Sequence, residues 1–171
     1  YEVGVPVKNP IMADVVSFTY PMQTYAVHLL KSGQAPIWNP YILAGTPLLA
    51  NFQSAPFSIT NIVYLFTDGI NGWSLKIILQ HIFALTSVYL LLRHWKISKL
   101  GSLFGGVVFA FSGFNIIWSQ WSAHVPTASC IPILILLTDK WFERKKLTTG
   151  ILFSLVLGIQ IMSGYPQVVL Y

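Results

Sequence analysis

The chain has 171 residues, 54% of them hydrophobic and only 9% charged, and its mean hydropathy is +0.64. A water-soluble domain usually carries roughly a quarter charged residues, so the balance excludes an ordinary soluble class and points to an all-α integral membrane protein. The net charge of +5 raises nucleic acid as a partner, but the bases gather in two short loops between apolar runs and offer it no continuous surface.

The chain opens on Tyr1 without an initiator Met and stops at Tyr171, straight after the apolar run Val168 to Leu170. It therefore reads as a fragment of a longer polytopic protein, with an earlier span expected to deliver Tyr1 to the outer side. Nothing in it has the charged start and small-residue cleavage site of a signal peptide. The single cysteine, Cys130, lies in an apolar stretch and can build neither a disulfide framework nor a thiolate zinc site.

Residues 1–72 form the first unit. They contain five charged residues and seven prolines interleaved with aromatics, a composition suited to lying against a bilayer surface. A helix is expected from about Ala13 to Ser32, bent at Pro21 and ended by Gly33, followed by a turn-rich stretch from Pro36 to Ala55 and a second helix from Pro56 to Phe66. Helix connections in bundles usually take about two to eight residues, and long ordered loops tend to carry function.

Residues 73–171 form the second unit, with four apolar stretches near the roughly 20 residues a bilayer crossing needs: 73–92, 101–118, 121–137 and 147–162. Seven of the ten basic residues fall in the connections 93–99 and 139–146, which places both connections in the cytoplasm and residues 1–72 outside it. Two spans separate the connections, as that orientation requires. Trp73, Trp118 and Trp121 then mark outer edges and Trp95 and Trp141 inner ones; Trp38 has no such place. Lys76, one turn into the first span, is expected to snorkel outward. Gly101, Gly105 and Gly106 keep the small-residue spacing that lets helices approach, and Pro132 should bend the third span.

Candidate site residues lie on the outer side. Asp14, one of three acids there, stands where the first helix begins, as an N-cap or as a carboxylate aimed into a cleft. Trp38, Asn39, Asn51 and Gln53 join an aromatic face to uncharged amides, which suits a sugar, or equally a proline-pinned loop whose amides satisfy its own backbone. The set Glu2, Asp14 and Asp68 is too dispersed to hold a divalent metal, and no cofactor is expected.

Asp14, Tyr20-Pro21, Gly33, Pro36, Trp38-Asn39-Pro40, Gly45, Pro47-Leu48, Ala50-Asn51 and Gln53, then Phe111-Ser112-Gly113, His124, Pro132 and Gly164-Tyr165-Pro166-Gln167, together resemble the YfhO-type bacterial membrane proteins of the GT-C glycosyltransferase superfamily. The resemblance runs along nearly the whole chain. It implies a GT-C-like polytopic helical bundle in the bacterial cytoplasmic membrane, with a long extracytoplasmic first loop bearing interfacial helices. It also implies an enzyme that moves a sugar from a polyprenyl-phosphate carrier to a cell-envelope polymer or lipid acceptor, with the loop acid, here Asp14, as catalytic residue. Tyr165 and Gln167 join the sugar or acceptor surface on the same ground. The chain departs from the family in two places: Ser17, Phe18 and Thr19 precede the Tyr-Pro pair where a glutamine is familiar, and Tyr165 replaces a histidine before proline.

The chemistry follows from general requirements. An acceptor hydroxyl needs a general base, which Asp14 would supply, and the departing lipid phosphate needs positive charge or donors. His124 and Lys31 are the first candidates for the phosphate, with Lys8 and His28 as further bases on the same side; His124 equally suits a cap of the third span or a place in the headgroup region. The rivals are a transporter or lipid flippase, suggested by Gln80 and His81 within the first span, and a non-catalytic envelope scaffold.

Overall fold

The structure, a computed structural model, describes residues 12–170. It is mostly helical, with α1 (Met12–Asp14), α2 (Tyr20–Lys31), α3 (Gly69–His94), α4 (Lys99–Ala110), α5 (Gly113–Trp118), α6 (His124–Arg144), α7 (Leu147–Met162) and α8 (Pro166–Leu170). One antiparallel pair, β1 (Trp38–Asn39) with β2 (Thr46–Pro47), is the sole strand pairing among the described residues.

The expected first helix forms, but Pro21 acts differently from a simple bend. A wide π-helical turn, Val15–Thr19, joins α1 to α2, and the Tyr20 N–H reaches back to the Val15 carbonyl. The ring of a proline presses on the carbonyl four residues earlier, and the wide turn ahead of Pro21 makes room for it. The far end matches the expectation: Gly33 takes φ +72°, and Gly33 and Gln34 donate to Leu30 and Leu29 in a glycine-closed Schellman cap. The expected second helix is instead a 3₁₀ segment, Ile59–Leu65.

Of the four expected spans, α3 with 26 residues and α6 with 21 are long and apolar enough to cross a membrane. The second is not one continuous helix. It breaks at Phe111-Ser112 into α4 and α5, bent by 47°, because Ser112 caps the new helix by accepting from the Asn115 N–H and the Asn115 side chain donates to the orphaned Phe109 carbonyl. At 16 residues, α7 is shorter than the roughly 20 a full crossing takes. The helix α6 runs through Pro132 and on to Arg144, so most of the expected 139–146 loop is helical.

The bundle is polar and small inside, apolar outside. The buried stripe of α3 is Gly72, Trp73, Lys76, Gln80, Ala84, Ser87 and Leu91, a repeat of three to four residues that keeps one face toward α4 and α6. Ile78, Ile82, Phe104, Leu152 and Leu155 face outward, as helices in lipid do, where small residues and hydrogen bonds hold the interfaces. Ala84, Ala110 and Val125 meet at the centre. The two basic connections lie at one end: Trp95 Nε1 donates to Asp139 Oδ2 at 2.8 Å, and His94 Nε2 stands 3.8 Å from Asp139 and 3.7 Å from Glu143.

At Gly106 α4 comes against the backbone of α3, since a Cβ there would stand 2.7 Å from the Leu85 carbonyl oxygen. Gly106→Leu is expected to destabilise the bundle by about 1–3 kcal/mol, measured by thermal unfolding in detergent. Gly158→Leu, which meets nothing within 4 Å, serves as the control that should leave unfolding nearly unchanged.

Candidate functional site

At the end opposite the basic connections, four separate stretches close on a cleft of about 560 Å³. The first helix contributes Asp14, Phe18, Thr19 and Gln23; the outer loop contributes Gln53; the α5–α6 turn contributes Trp118, Trp121 and His124; the start of α8 contributes Tyr165 and Gln167.

Gln23 holds these stretches together. Its side chain is 1% exposed, and its Oε1 accepts at 2.7 Å from both Lys76 Nζ and Ser122 Oγ. Its Nε2 donates to the Gln53 carbonyl at 2.9 Å and more weakly to the Trp121 carbonyl at 3.4 Å. One amide thus ties α2 to the outer loop, to α3 and to the turn before α6. Lys76 does not snorkel: it is fully buried, its ammonium 5.5 Å from the centre of the Trp73 ring. Ser122 takes a left-handed φ of 55°, a conformation that costs a non-glycine residue energy and that accompanies its hydroxyl's donation to Gln23.

The aromatic wall is built around His124, which is 5% exposed. Its ring stacks on Trp118 at 4.5 Å and lies 3.6 Å from Tyr165, with the Trp121 ring set toward its edge at 6.2 Å. Its Nδ1 is buried with no hydrogen-bond partner. The approach of Tyr165 depends on Gly164, at φ +101°, where a Cβ would collide with Ala55 Cβ at 2.7 Å and with the Phe52 carbonyl at 2.9 Å. Glycine there lets the two loops pack directly.

Asp14 is exposed on the rim and its side chain makes no cap hydrogen bond, so the capping role considered from the sequence is not the one it takes. Gln53, His124, Tyr165 and Gln167 join it in the cleft. Lys31 does not: it pairs with Asp68 at 2.6 Å in a second cleft lined also by His28 and Tyr64. Trp38 covers Gly45 in the small hairpin. Asn39 accepts from the Tyr41 N–H and Asn51 from the Gln53 N–H, so these two amides serve their own loop. Lys8 lies outside the described residues. Among the described residues no three His, Cys, Asp or Glu side chains cluster as a metal site would require.

Gln23, Lys76, Ser122, Trp118 and Trp121 line or support the cleft and are absent from the candidates that the sequence offers. The signal for Lys76 was present, because a lone ionisable residue inside an apolar span marks function by default. No family model matches the chain, and neither a curated protein nor a solved structure does.

Gln23→Leu is expected to cost at least about 2 kcal/mol, since it strands a buried ammonium and a buried hydroxyl. Combining it with Lys76→Met should recover much of that loss in the same detergent unfolding measurement. In the second cleft, the buried Tyr64 hydroxyl has no partner, and burial first, then neighbouring Tyr20, pushes its ionisation well above the ordinary 10.0. The folded state therefore holds the proton more tightly than the unfolded one, so stability is full below pH 10.0 and falls as pH rises above it. Tyr64→Phe should flatten that alkaline loss in unfolding measured across pH.

Proposed function

We propose that the chain is the catalytic part of a GT-C-like membrane glycosyltransferase of the bacterial cytoplasmic membrane. It moves a sugar from a polyprenyl-phosphate carrier to an extracytoplasmic cell-envelope acceptor, with residues 1–72 outside and the connections 93–99 and 139–146 in the cytoplasm. The observation that carries this reading is the meeting, in one cleft, of the Asp14 carboxylate with the aromatic cage around His124 and the Gln53 and Gln167 side chains. Asp14, Gln53, His124, Tyr165 and Gln167 are among the residues that carry the family resemblance.

In this reading the acceptor hydroxyl loses its proton to Asp14, and its oxygen bonds to the anomeric carbon as the bond from that carbon to the phosphate oxygen breaks. The electron pair departs with the phosphate, which needs donors and positive charge rather than a proton. Trp118, Trp121 and Tyr165 offer flat faces for a sugar's C–H surface. The cleft opens at the end opposite the basic connections, the end that retention of basic residues in the cytoplasm assigns to the outside. Lys31, committed to Asp68 in the other cleft, has no part in the transfer.

A transporter finds less support. Gln80 Nε2 donates to the Ser119 carbonyl at 2.8 Å, and His81 is tied to the Ile77 carbonyl and stacked on Phe111, so both residues serve packing.

Asp14→Asn in the full-length protein should lower sugar transfer from a polyprenyl-phosphate donor by about 10²–10⁴-fold, with membrane abundance unchanged. Transfer at the wild-type rate would remove Asp14 from the reaction. Should His81→Ala or Gln80→Ala abolish substrate movement across vesicles while Asp14→Asn is silent, the protein is a transporter.

A further inference from the structure

Lys76 is the one cation among the described residues that is wholly enclosed. Its ammonium carries three donors, and the structure gives it one acceptor, the neutral Gln23 Oε1 at 2.7 Å, with the Trp73 ring on another side. Among the described residues no carboxylate lies within 4.0 Å of it: Asp14 is exposed on the rim of the cleft, Asp68 is taken by Lys31, and Asp139 and Glu143 face His94 at the opposite end. A buried charge without a counter-charge is costly, and the surroundings here are low in dielectric, so the field of that charge reaches further than it would in water.

What lies on the other side of Gln23 is the cleft. Gln23 is a lining residue, whereas Lys76 is not, so one amide separates the ammonium from the cavity. Both donors to Oε1, Lys76 and Ser122, hold that amide in one orientation. A second and independent feature faces the same cavity: His124, 5% exposed, lines the cleft and has a buried Nδ1 without a partner. An ammonium behind the floor and an unsatisfied imidazole nitrogen in the wall suit an anion on the Gln23 side of the cavity, with the Asp14 carboxylate exposed at its rim.

We propose that Lys76 is the counter-charge for a phosphate bound in this cleft, acting across the Gln23 amide as a positioning residue, and that the phosphate is carried by a lipid. The inference rests on the transferase reading for the lipid source and replaces Lys31 with Lys76 as the cation that serves the site. The ligand phosphate meets His124 directly and feels Lys76 through one layer of side chain. Gln23 therefore sets the distance between charge and ligand as well as joining the helices.

The test uses the full-length protein in phosphatidylcholine nanodiscs, titrated with farnesyl phosphate, farnesol and inorganic phosphate. The wild type should bind farnesyl phosphate about tenfold or more tightly than farnesol. Lys76→Met, which keeps the stem and removes the charge, and Lys76→Gln, which removes the charge and keeps a donor toward Gln23, should each abolish that preference and leave farnesol binding as it was. Lys76→Arg should retain the preference. Retained farnesol binding shows that a variant is folded, and Lys76→Gln carries the test alone if Lys76→Met does not accumulate.

A preference for the phosphate that survives both charge-neutralising changes would overturn the role of Lys76. Inorganic phosphate competing as well as farnesyl phosphate would overturn the lipid source. Phosphate preference lost in both variants, in a wild-type protein that transfers no sugar, would sink the transferase reading and leave the anion site in place.

Discussion

The amide of Gln23 is the contact on which the rest of the structure depends. It accepts from a lysine of α3 and a serine of the α5–α6 turn, and donates to the backbone of the outer loop. The amide, the lysine and the serine are buried, and in an enclosed setting every polar group must find a partner or incur its desolvation cost. A side chain that answers several such demands at once fixes the relative positions of the elements that make them. Packing adds to this hold on the first helix: Met22 and Ala26 pack on Leu48, Tyr20 sets an edge against Trp73 at 5.2 Å, and Lys31 pairs with Asp68.

The helices below the cleft follow the same economy of polar contacts. Ser87, Ser102, Thr127, Ser129 and Gln160 are buried, while the large aliphatic side chains of α3, α4 and α7 point outward. Buried hydroxyls bond largely within their own helices, as Thr127 does to Ala123 and Ser129 to Val125. Gln160 reaches from α7 to the Thr127 carbonyl. Close approach at Gly106 and a few cross-helix hydrogen bonds join these helices, whose outward faces are apolar.

Irregular backbone borders the cleft. The π-helical turn at Val15–Thr19, the left-handed Ser122 and the glycine-dependent approach of Gly164 all border it. Each redirects the chain where a regular helix or turn would have carried a lining residue away. Wide helical turns and left-handed residues persist where surrounding contacts over-determine them, and the Gln23 hydrogen bonds and the His124 aromatic cage are those contacts here. The cleft is thus made by irregular backbone held in place by regular helices.

Much of this was legible from residue order alone. Apolar runs gave the helices around Trp73 to Leu92 and Trp121 to Leu137, and the clustering of bases gave the shared end of the two connections, because hydropathy and charge position are local properties of the chain. Gly33 ended its helix for the same local reason. The break at Ser112, the replacement of a second outer helix by a 3₁₀ segment and the separation of Lys31 from Asp14 depended on partners far away in sequence. So did the burial of Lys76: a lysine one turn into a span snorkels unless an acceptor meets it inside, and Gln23, 53 positions earlier, became that acceptor only when the first helix folded back across α3. Residue type determined which groups needed partners, and tertiary structure decided which partners they found.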